Sequence, residues 1–195
     1  MAEVVPTQIL MREMMTNGEQ ITAANPLSVS SVFVAGEVHL GDVGGAYNTS
    51  LANISLGVTG TYATGDYVGP SGTATEFTGA VRVAGDSGII ASAMIIDRDK
   101  QSLTLELWLF DATVTPPDNN AAWSLSDVDV AKCIGVISFS TWYASALNSV
   151  SIVTGAAIGF EAAGGSTSIW GCLVARGAPT YTASGLTVKL SILQD

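Results

Sequence analysis

Side chains with the potential for covalent chemistry are sparse in this 195-residue chain. Gly85-Asp86-Ser87-Gly88 offers a serine between glycines, a setting in which a hydroxyl attacks a carbonyl while backbone amides hold the oxyanion. Such a serine needs a base. His39, the one histidine, precedes it, with Asp42 and Asp66 between. The interval is too short for a histidine-first triad spread over two barrels. The segment therefore reads as a tight turn, with glycine supplying positive φ and the Asp and Ser side chains capping the turn. A lone histidine with no Cys, Asp or Glu at ligand spacing makes a poor metal site. Asp97 with Asp99, Asp127 with Asp129, and Asp118 beside Asn119 and Asn120 form oxygen-rich segments. None follows the calcium-loop pattern with its closing bidentate Glu. Gly41-Asp42-Val43-Gly44-Gly45 lacks the Lys-Ser/Thr ending of a phosphate loop. The sequence predicts no catalytic residue, no metal site and no cofactor.

What remains is contact chemistry. Trp108, Trp123, Trp142 and Trp170 are large amphipathic rings suited to sugar stacking or to a subunit interface. Leu103, Leu105, Leu107 and Leu109 alternate with Thr104, Glu106, Trp108 and Phe110, the clearest one-sided stripe in the chain. A strand with that pattern turns its leucines to a core and Trp108 and Phe110 outward. Met11, Met14 and Met15 are adaptable apolar side chains fitted to an irregular groove on a partner. These five residues, Met11, Met14, Met15, Trp108 and Phe110, are the candidate interaction residues.

The elements that must position them are mostly strands. Thr7 to Thr16 is a helical stretch, stopped by Asn17-Gly18, and Pro26 then imposes an extended segment. Residues 1–27 are expected to form an arm and residues 28–195 a single β domain. Strand runs follow: Val32 to Val38, Leu51 to Val58, Phe77 to Val83, and Ile89 to Ile96, the last reading as buried on both faces. Further runs are the leucine stripe, Ile134 to Thr141, Ala156 to Phe160, Ile169 to Ala175 and Leu186 to Ile192. Ser126 to Ala131 reads as a helical turn capped by Ser126. With no βαβ rhythm, this is an all-β, jelly-roll-like antiparallel sandwich with an N-terminal arm carrying a short helix.

Composition narrows the partners. Apolar residues make up 48% and charged residues 12% of the chain. Seven Lys+Arg against 17 Asp+Glu leave a net charge of −10, which offers no electrostatic footprint for nucleic acid or an anionic membrane. No run approaches the ~20 apolar residues of a membrane helix, and Met1 to Ile9 lacks the pattern of a secretory signal. Such sparse charge on this length reads as a surface that lies against other subunits, hence a homo-oligomer. Cys133 and Cys172 sit in apolar strand contexts and read as buried thiols, with a disulfide open if their strands pair.

Several blocks between Tyr62 and Asp195 carry a family likeness. They are Thr64-Gly65-Asp66-Tyr67-Val68-Gly69, Phe77-Thr78-Gly79-Ala80-Val81-Arg82, Gly85-Asp86-Ser87-Gly88-Ile89-Ile90 and Leu105-Glu106-Leu107-Trp108-Leu109-Phe110-Asp111. Asp118-Asn119-Asn120 follows, then the ending from Leu173-Val174-Ala175-Arg176-Gly177 to Leu190-Ser191-Ile192-Leu193-Gln194-Asp195. This stretch resembles small structural proteins of tailed-bacteriophage virions, and among them capsid decoration, or cement, proteins. The resemblance implies a jelly-roll subunit, a homotrimer, that clamps neighbouring capsomers through the major capsid protein. It also implies a place on the capsid surface after synthesis in bacterial cytoplasm. A tail- or baseplate-associated adhesin or carbohydrate-binding sandwich is the alternative. No functional residues transfer with the likeness.

Overall fold

The computed structural model of the chain describes residues 46–54 and 60–195. The chain divides into two units, Met1–Gly41 and Asp42–Asp195, and everything described belongs to the second. The predicted arm, its boundary before residue 28, the run from Val32 to Val38, and His39 lie outside the described residues.

In chain order the strands are β1 (Ala46–Ile54), β2 (Gly60–Thr61), β3 (Tyr67–Val68), β4 (Thr75–Phe77), β5 (Ser87–Asp97) and β6 (Leu105–Phe110). A one-turn helix, α1 (Asp127–Val130), precedes β7 (Cys133–Phe139) and β8 (Trp142–Ala144). The chain then runs through β9 (Ser149–Glu161), β10 (Ile169–Ala175), β11 (Thr180–Tyr181) and β12 (Leu186–Gln194). Ser126 caps α1 as its sequence predicts, its hydroxyl accepting the Asp129 amide.

Every strand pairing among the described residues is antiparallel. One sheet has the order β1-β12-β5-β9-β8, and a second has β3-β10-β6-β7, with β4 also on β10. Strands β2 and β11 form a small ribbon. The pairs are nested: β1 with β12, β3 and β4 with β10, β5 with β9, and β6 with β7. The inner faces share one core. Ile90, Ile95, Val188, Leu190 and Ile192 of the first sheet are fully buried in the same cluster as Leu105, Leu107, Leu109, Phe139 and Leu173 of the second. The fold is all-β and sandwich-like, and Leu105, Leu107 and Leu109 of the leucine stripe line its interior as alternation requires, whereas Leu103 precedes β6 and is half-buried.

Two expectations are corrected, and the open question of the two cysteines is answered. Phe77 to Val83 is not a strand run: β4 ends at Phe77, Gly79 takes φ +65°, and the chain bends. Its apolar spacing has another cause, because Ala80 and Val81 plug the end of the core from a loop, with the Val81 amide donating to the Thr167 carbonyl. Strand β5 is not buried on both faces; it alternates, and Ile89 is 47% exposed. Cys133 and Cys172 are free thiols as expected, Cys172 buried and Cys133 half-buried. Their strands do not pair, because β6 lies between β7 and β10, holding them roughly 10 Å apart.

Candidate functional site

The outer face of the second sheet carries Trp108, Phe110 and Trp170 of the aromatic side chains that the sequence singles out. Registration across the sheet sets Cys172 opposite Trp108 and Trp108 opposite Val136. One row along, Trp170 lies opposite Phe110; on the other side, Tyr67 meets Val174, which meets Glu106. The connection between β6 and β7 folds back over this face. It contributes Val114, Trp123 and Leu125, which pack with Tyr67, Phe110, Cys172, Trp108 and Trp170 in a second, smaller hydrophobic cluster.

Trp123 is the hinge of that cover. Its ring stacks on Tyr67 at 5.8 Å and 28° and meets Trp108 at 5.7 Å and 57°, the offset and tilted geometries that aromatic quadrupoles favour. The Tyr67 hydroxyl donates to the Thr73 carbonyl at 2.8 Å, and burial keeps that phenol protonated far above the ordinary range. Burial likewise pushes the Cys172 thiol up to about 12, so it is a neutral packing group at neutral pH.

The consequence for Phe110 is a correction. Alternation does turn it away from the leucine core, yet it is fully buried under the returning loop and is not presented on an open surface. Trp108 is half-buried, and Val136 beside it is 43% exposed. Their open border is polar. The Arg176 guanidinium donates to Glu106 Oε2 at 2.7 Å, and the Trp108 indole N–H donates to the same oxygen at 3.3 Å. That first hydrogen bond holds the Glu106 carboxyl below its ordinary range. At the far end of the loop Lys132 bridges the Thr113 carbonyl and Asp129, each at 2.8 Å, and it pulls the Asp129 carboxyl down.

The other candidates resolve into structural roles. Gly85 has φ +84°, the Asp86 amide donates to the Val83 carbonyl, and Ser87 opens β5. The Ser87 hydroxyl donates to Asp195 Oδ2 at 3.1 Å, so the segment is the turn its glycines predict. Asp97 is fully buried; its carboxylate accepts the amides of Asp99 and Ser102, each at 2.9 Å, and closes the loop between β5 and β6. Asp99 accepts the amide and hydroxyl of Thr182. Trp142 packs against the main core from β8. No group of three or more His, Cys, Asp and Glu side chains that could hold a metal gathers among the described residues. Met11, Met14 and Met15 lie outside the described residues.

Sequence reading missed Trp123 as the cover of this face and Tyr67 as the ring it stacks on. The one available signal was a loop, Asp111 to Leu125, that carries Val114, Trp123 and Leu125 among turn residues. What the arrangement can do is present a stiff aromatic and aliphatic surface bordered by a fixed ion pair. No family model matches the chain, and neither does any curated protein.

Proposed function

We propose that this protein is a non-enzymatic structural subunit of a tailed-phage virion, a decoration protein that binds the assembled head and stabilises contacts between capsomers. Connectivity is the observation that carries the reading. Taking β1, β3/β4, β5, β6, β7, β9, β10 and β12 in turn, the nested pairs and the two facing orders β1-β12-β5-β9 and β3-β10-β6-β7 support a jelly-roll reading of the sandwich. That fold recurs in virion subunits. Because the same fold also serves lectins, function must come from surfaces. The block resemblance supplies the virion, and the sparse charge supplies assembly. The partners are the major capsid protein and further copies of the chain, expected as a homotrimer. Met11, Met14 and Met15 are the arm contacts and Trp108 the contact on the domain.

A second reading has one observation in its favour. Half-buried Trp108 beside the Glu106–Arg176 pair combines a ring face with polar partners, as a sugar-binding surface on a tail or baseplate would. Mixing the purified protein with undecorated heads and with free major capsid protein, then sedimenting, separates the two. The decoration reading expects saturable co-sedimentation with heads and little with free subunits. Absence of head binding together with retention on a host-surface glycan would overturn it.

A further inference from the structure

The outer face of the first sheet carries a row whose side chains differ in height. Tyr47 stands opposite Leu193, Leu193 opposite Ile89, and Ile89 opposite Gly159. The first three are 62%, 42% and 47% exposed. Gly159 leaves a gap: a Cβ there would meet nothing within 4 Å. A depression of about 460 Å³ bordered by Ile89, Gly159 and Leu193 lies at this end of the face. The next row is hydroxylated, with Thr49, Ser191, Ser92 and Thr154 in register.

We propose that this face joins two copies of the chain about a two-fold axis parallel to β12 and β5 and lying between them. Tyr47 of each copy then sits over Gly159 of the other, and Leu193 over Ile89. The proposal takes self-association from the reading above but sets a two-fold pair in place of its expected homotrimer, since a patch that meets itself closes at two copies. Three observations select a second copy as the occupant. First, the row is tall, tall, tall, empty; turning it about that axis sets each tall end on an empty one, so the surface is complementary to itself. Second, charge permits it. The chain carries −10, yet the interior rows of this face hold Lys189 and no carboxylate among the described residues, while Glu161 and Asp195 lie at the rim. Two copies can therefore meet here without stacking acid on acid. Third, size allows a weak, concentration-dependent pair: because Thr187 at the far end of this face is buried, the open rows run from Lys189 to Asp195, and four strands at ~4.8 Å spacing over that length give roughly 450 Å² per copy.

Sedimentation velocity of the purified full chain, without particles, tests this apart from head binding, so either can fail alone. Gly159→Phe fills the gap, and Tyr47→Ala removes the side chain that enters it. Each single variant is expected to weaken dimerisation about ten-fold or more, and the double variant to recover most of it, because tall and empty positions have exchanged. Leu193→Glu, at a position already exposed, is expected to disperse the dimer and guards against a misfolded Gly159→Phe; an unchanged β-rich circular dichroism spectrum verifies each fold, since loss of the dimer by itself lowers melting. A wild-type monomer, showing that another segment of the chain covers the face, would overturn the proposal. So would an oligomer of any order that ignores all three substitutions.

Discussion

Replacing Phe110 by alanine distinguishes a core residue from a contact residue. Phe110 is fully buried between the second sheet and the returning loop. A phenylalanine removes about 150–250 Å² from water, and at about 25 cal/mol per Å² that is roughly 4–6 kcal/mol. Alanine keeps the Cβ, so a loss of about 3–5 kcal/mol is the starting figure. The cover here is a loop, and Val114 and Trp123 can settle into the space, which places Phe110→Ala near the lower end, about 3 kcal/mol. In urea unfolding the midpoint should fall with the slope unchanged, and melting should drop by about 6–12 °C. Val136→Ala on the same face should cost under about 1 kcal/mol, since Val136 is 43% exposed. A Phe110→Ala protein that loses less than about 1 kcal/mol yet no longer binds heads would refute the burial reasoning and restore Phe110 as a surface contact.

Ser151 Oγ and Tyr181 Oη are buried with no hydrogen-bond partner among the described residues. Ser151→Ala and Tyr181→Phe should each be neutral or stabilising by up to about 1 kcal/mol in thermal melts, and a loss larger than that would reveal a partner. Cys172, neutral and buried, should stay silent to a thiol reagent at pH 8 until the protein unfolds; prompt reaction of both cysteines in the native state would contradict the packing. The Glu106 carboxyl is held below its ordinary value of 4.5 by Arg176. Its contribution is therefore complete above that value and is lost as pH falls through the lowered one. Arg176→Ala should flatten this part of the acid dependence, by under about 1 kcal/mol because the pair is partly exposed; an unchanged profile would refute the assignment.

Local alternation made the leucine stripe legible, because Leu105, Leu107 and Leu109 meet one core and nothing distant alters that. The Ser126 cap was legible for the same reason: donor and acceptor lie three residues apart. Phe110 was misread because outward along a strand means solvent only where no later segment returns, and the cover of Trp123 and Val114 is set by contacts outside the strand. Ala80 and Val81 mimicked a strand because a loop that plugs a sandwich also needs apolar residues at intervals. The length of β9 was hidden by Gly155 and Ala157, whose φ values of +68° and +49° accompany a register shift against β5 and break the two-residue period. Separation of the two cysteines depended on strand order, which neither residue encodes.

An electron-microscopy map of the virion, with and without this protein, tests the decoration role most directly. The predicted result is β-sandwich density on the outer surface of the head, seated where capsomers meet and missing from particles that lack the chain. Density at the tail or baseplate, with an undecorated head, would contradict it.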